Sequence, residues 1–166
     1  MNIGKRWLLL ALTLLTGAVP ASDNLMYRAA EPAELSAGSY TIHLKTVGAE
    51  TVKPDPSLRW NLKLSGIWAS EPPSSTYALY LNLAPNAQPT PQDPGYVGAL
   101  STYDIPIVYD PQRPRKISYD LQPVFARLQA SGQLKAVTSL TFLPIDPVQA
   151  EQHLRIEHVE IYRIHP

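Results

Sequence analysis

The fold class predicted for this chain of 166 residues is mainly β: an antiparallel β-sandwich, jelly-roll-like, of about six to eight strands, with one short α-helix near residues 121–130. Three features predict it. The 17 prolines are spread along the chain and leave little room for long helices, whereas short strands joined by proline-bearing loops fit between them. Apolar and polar residues alternate in one short stretch after another, the period of a strand with one covered face. One stretch departs from that period: Leu121, Val124, Phe125 and Leu128 stand at i, i+3, i+4 and i+7, on one face of a helix.

At the start of the chain, Lys5 and Arg6 precede an apolar run over residues 7–15, and Val19 and Ala21 are small enough for a signal peptidase to cut after Ala21. The run is shorter than the roughly 20 residues of a membrane helix, so an export signal is preferred over a retained anchor. The expected organisation is a signal peptide over 1–21, an irregular segment over 22–37 and a single β-sandwich domain over 38–166. The expected location is periplasmic or secreted, with no stable membrane span after cleavage. Without cysteine there is no lipid attachment through an N-terminal thiol, no disulfide framework and no thiolate chemistry. Removing Lys5 and Arg6 from the 14 basic residues leaves two fewer than the 14 acidic ones, a balance that offers no footprint for nucleic acid.

The strands follow in order. In residues 39–47, Tyr40, Ile42 and Leu44 share one face, while Thr41, His43 and Lys45 share a wet one, so His43 reads as solvated. In residues 58–68, Leu58, Trp60, Leu62 and Leu64 share a face, and Gly66 marks a bend or bulge before Ile67 and Trp68. Residues 76–83 alternate Tyr77, Leu79, Leu81 and Leu83 with the semi-polar Ala78, Tyr80 and Asn82. Residues 84–93 hold three prolines and no period, a long exposed loop, and a short strand follows over 99–105. The proline-rich loop 107–116 carries Arg113, Arg115 and Lys116, too few charges for a nucleic-acid site.

From residue 117 a strand runs into the helix, with Asp120 expected as N-cap, Pro123 tolerable in the first turn and Gly132 as the left-handed C-terminal residue. A strand over 137–143 and a last strand over 152–162 complete the domain. In the last one, Leu154 and Ile156 have one phase and Val159 and Ile161 the other, which predicts a β-bulge at Glu157–His158.

Site signatures are sparse. There is no phosphate-cradling glycine loop, no Gly-x-Ser-x-Gly elbow and no His-Glu-x-x-His. No carboxylate pair is placed by local geometry for acid–base work, so no catalytic residue is assigned and no cofactor is expected. Of the four histidines, His153, His158 and His165 are weak metal candidates, because the step from 153 to 158 is not the i to i+2 step of one strand face. Trp60 and Trp68 are either core residues or a carbohydrate platform, with Trp68 the candidate platform; exposure separates the two readings.

Segment order adds what the chemistry lacks. A strand closing on Asn, Tyr77-Ala-Leu-Tyr-Leu-Asn82, leads to a Tyr-x-Gly turn, Tyr96-Val-Gly98. A short Asp-capped helix, a Val-Thr-x-x-Leu strand from Val137 and a final Arg-Ile strand at Arg155-Ile156 follow. Over residues 58–162 this order resembles the C-terminal domain of tyrosinases and polyphenol oxidases. The dicopper catalytic domain of that family needs six histidines on a helical bundle, and four histidines are present here. The resemblance therefore implies no enzyme but a free-standing, exported accessory protein. It would bind a tyrosinase-like dicopper oxidase, shielding its site to keep it latent or assisting its copper loading. Tyr109, between Pro106 and Pro111, is the first candidate for a side chain that plugs such a site. Tyr103 is the second, although ordinary packing is the better reading for Tyr103. The alternative is a β-sandwich binding module for a polysaccharide or a cell-envelope protein, unrelated to copper.

Overall fold

A computed structural model describes residues 24–48, 52–71, 75–146 and 153–164. Across them run β1 (Asn24–Ala29), β2 (Ala33–Leu35), β3 (Tyr40–Thr46), β4 (Arg59–Ala69), β5 (Thr76–Leu81), β6 (Tyr96–Ser101), β7 (Lys116–Asp120), α1 (Gln122–Ala130), β8 (Ser139–Pro144) and β9 (Leu154–Ile164). The expected signal peptide and His165 lie outside the described residues. The segment expected to be irregular over 22–37 instead supplies β1 and β2, which pair in turn along β9. No helix among the described residues is long and apolar enough to cross a membrane.

Hydrogen-bonded neighbours run β6, β5, β8, β3, β1, β9, β4, β7, with β2 beside β1 on β9, and each of these pairings is antiparallel. The mainly β expectation holds, in the form of a nearly closed, barrel-like sheet. Its two end strands come within one side chain of each other. Tyr119 on β7 donates a hydrogen bond of 3.1 Å to the Ala99 carbonyl on β6, and its ring lies over Gly98. Arg127 of α1 reaches the Tyr96 carbonyl on the same edge. Burial of the phenol, reinforced by Tyr96, pushes the Tyr119 pKa up to about 12.

The interior is filled by the inward residues of every strand, among them Tyr27, Trp60, Leu62, Leu64, Tyr77, Leu79, Phe142 and Ile161. The helix covers part of this core as its periodicity predicts. Val124, Phe125 and Leu128 are buried, and Phe125 meets Trp60 edge to face at 5.6 Å. Its first turn begins one residue later than expected. Leu121 is the N-cap, and Asp120, just outside, still accepts the Gln122 amide at 2.9 Å. At the other end Gly132 has φ +71, Gly132 N–H donates to Gln129 and Gln133 N–H to Leu128, which together form a Schellman closure.

Two further expectations are corrected. The outer face of β5 is covered as well as the inner one, since Ala78 and Tyr80 are buried and Tyr80 packs on Tyr96 at 5.4 Å. The strand placed at 99–105 starts earlier and stops earlier, as β6, because Thr102 leaves the ladder to hydrogen-bond Ser75.

The phase change in β9 is real, but its origin differs from the one expected. Against β4 the register is unbroken on both sides of it, Ser65 opposite His158 and Ile67 opposite Ile156. No extra residue is inserted. Instead both strands change phase together: Trp60, Leu62 and Leu64 point inward before Gly66, and Ile67 and Ala69 after it. Gly66 makes this possible with φ +67, and a Cβ there would sit 2.7 Å from Cβ and Cγ of Glu157. A residue-count bulge occurs elsewhere, in β1 between Leu25 and Tyr27.

Candidate functional site

The phase change decides which side chains reach the surface at this end of the barrel. Continued without a break, the alternation from Trp60 would turn Trp68 into the core; the switch at Gly66 sends Ile67 inward and leaves Trp68 half-buried on the outer face. In β9 the same switch leaves Arg155 and Glu157 outside, beside Trp68. Glu157 then organises the group. Its carboxylate accepts the Trp68 indole N–H at 3.1 Å and the Arg155 Nε–H at 2.8 Å on the same oxygen. Arg155 also forms an ion pair with Glu34 of β2. Burial works to raise the Glu157 carboxyl, but the hydrogen bonds from Arg155 and Trp68 and the Arg155 charge outweigh it and hold the group below its ordinary value.

The loop between β6 and β7 frames this surface. Ile105 is buried, the Pro106 carbonyl accepts Ala69 N–H at 3.0 Å and the Arg115 carbonyl accepts Ile67 N–H at 3.3 Å. Both limbs of the loop are thus tied to β4 beyond the end of β7. Within it, Asp110 accepts Gln112 N–H at 2.8 Å, and Arg115 pairs with Asp104. The anchored limbs display Ile107 and Val108, which are 52% and 71% exposed.

Each site residue read from the sequence, His165 apart, has a definite place. Tyr109 is 40% exposed and its ring packs against Trp68, centroids 6.2 Å apart, so it braces the tryptophan at the base of the loop tip. Tyr103 is 71% exposed, which overturns the reading of ordinary packing, because Thr102 and Ile105 carry the local burial and turn Tyr103 away. Trp68 is brought together with Tyr109; Tyr103 is not part of that contact. His153 and His158 are both exposed on or beside β9, and five residues of extended strand, about 16 Å, separate them. Among the described residues no group of three or more His, Asp or Glu side chains could hold a metal ion.

Residues that sequence reasoning missed are Val108 and Ile107 at the tip and the Glu34–Arg155–Glu157 chain. The tip had a signal in its prolines, since Pro106 and Pro111 bracket the apolar pair. The ionic chain had half of one, the Arg-x-Glu alternation at 155–157; Glu34 joins it only through the pairing of β2 with β9.

No protein-family model and no curated protein matches this sequence. Solved structures do resemble it. Latent apple tyrosinase matches over 80% of this chain and 27% of its own, with a TM-score of 0.53 and 12% identity. Recombinantly expressed latent aurone synthase, a polyphenol oxidase, matches over 81% of this chain and 25% of its own, with a TM-score of 0.50 and 15% identity. The chain thus spans about a quarter of the length of these structures. The resemblance drawn from segment order to the C-terminal domain of this family stands as a likeness of fold.

Proposed function

We propose that this domain is an exported, non-catalytic cover for a tyrosinase-like dicopper oxidase, docking on the mouth of the oxidase site through the loop between β6 and β7. The observation that carries the reading is the tip itself: two aliphatic side chains, Ile107 and Val108, held in solvent by a loop hydrogen-bonded to β4 through both limbs. An apolar side chain on a fixed frame can fill an aromatic-substrate pocket at little ordering cost and cannot react there. The fold likeness to about a quarter of a latent polyphenol oxidase supports the same reading. So does the basic, apolar and small-residue order of residues 5–21, for export. Val108 replaces Tyr109 as the leading plug side chain, with Tyr109 and Trp68 as its footing.

The test is reconstitution. A tyrosinase catalytic domain lacking its own cover is mixed with this protein, and binding and phenol oxidation are measured. Wild-type protein is expected to bind and to suppress turnover. Val108→Asp is expected to fold as wild type and to lose suppression by at least about tenfold, as a charge carried into an apolar mouth should. Absence of binding, or equal suppression by Val108→Asp, overturns the proposal.

A further inference from the structure

We infer that the groove beside Trp68 binds one ring of a neutral polysaccharide. The groove is lined by Glu34, Trp68, Ser70, His153, Leu154 and Arg155 and has a volume of about 220 Å³. That lies below the roughly 300–1,000 Å³ of sites that enclose a small molecule, so it suits a single ring laid against a surface. Tyr109 is not among its lining residues, so the ring that braces Trp68 leaves the groove free.

The chemistry of the lining selects the ligand. A pyranose has an apolar face of C–H groups and a rim of hydroxyls. Trp68 offers a flat apolar ring, and around it stand a carboxylate, a guanidinium, an imidazole and a hydroxyl, groups that pair with several hydroxyls at once. A simple phenol, with one hydroxyl, would meet far fewer of these rim groups than a pyranose. The charge balance excludes acidic sugars. Arg155 is already divided between Glu34 and Glu157, so an incoming carboxylate meets two negative charges and no free positive one in this ionic chain.

The site is also built in advance. The indole is fixed by its hydrogen bond to Glu157 and by Tyr109. Ser70 and His153, at the ends of β4 and β9, are tied by Ser70 N–H to the His153 carbonyl at 3.0 Å and by His153 N–H to Ser70 Oγ at 3.3 Å. A surface ordered before binding loses less on binding. The inference shares Trp68 with the footing of the proposed plug but needs neither Ile107 nor Val108.

The experiment is a titration followed by NMR of the Trp68 indole N–H, with β-1,4-glucose oligomers and β-1,4-N-acetylglucosamine oligomers as neutral probes and a galacturonate oligomer as the charged control. At least one neutral probe should shift that resonance together with the amides of Ser70, His153 and Arg155, and the galacturonate oligomer should not. Trp68→Ala should weaken binding by at least about tenfold. Glu34→Gln, at an exposed position that leaves the fold intact, should weaken it several-fold. Three results overturn the inference: no shift with either neutral probe, a stronger response to the galacturonate oligomer, or undiminished binding by both variants.

Discussion

A methyl group at position 66 has no room: it would meet Glu157 at 2.7 Å, on a backbone with φ +67 that side chains rarely adopt. Gly66→Ala is therefore expected to destabilise the domain by about 1–3 kcal/mol, and to displace Glu157 from the Trp68 indole. Gly38→Ala is the control, since nothing lies within 4 Å of its added carbon. Urea midpoints measure the first effect and tryptophan emission the second; equal midpoints for the two variants would refute the account. At this scale the sequence was legible only in part. It showed that something happens at Gly66 and again at Glu157–His158, yet a bulge in one strand and a joint change of phase in two give the same pattern of apolar residues. Only the pairing of Ser65 with His158 and of Ile67 with Ile156 separates them, and with it the direction of Trp68.

Among the elements, α1 is the piece whose role follows most directly from local pattern. Its apolar spacing, its Gly132 closure and its buried face agree, and Phe125 is wholly buried against Trp60. Phe125→Ala should cost about 3–5 kcal/mol, the loss of a large ring plus the cavity left behind, and chemical denaturation of the purified variant would check it. A loss under about 1 kcal/mol would mean that the helix is not part of the cooperative core. β1 and β2 were illegible for the converse reason. They are short, and a bend at Ala30 and Glu31 divides them; β2 and one edge of β1 find their partner in β9, which lies far away in sequence. The loop tip is intermediate: its prolines mark a loop, but nothing local says that Ile105 is anchored inward while Val108 stands out.

For the molecule as a whole, closure of the sheet depends on side chains where backbone pairing stops. Tyr119 spans from β7 to β6, and its partial burial pushes the phenol pKa up to about 12. Burial likewise raises Tyr27, Tyr77 and Tyr80. The folded state holds these protons more tightly than the unfolded chain, so their contribution is intact below pH 10 and lost as pH rises from 10 to about 12. Unfolding midpoints should fall across that window, and less steeply in Tyr119→Phe, whose spectrophotometric titration should also lack the tyrosine that ionises near pH 12. An unchanged titration would remove Tyr119 from this role. The place of β9 has another consequence, in time instead of space. It is the last strand of the described residues, yet it is held between β4 on one side and β1 and β2 on the other. A ribosome must therefore finish almost the whole domain before β2 and the free edge of a β1–β3 pair can find their partner. Closure of the sheet is then a late event in the milliseconds-to-seconds regime of non-local β topologies, and until it occurs the chain stays threadable.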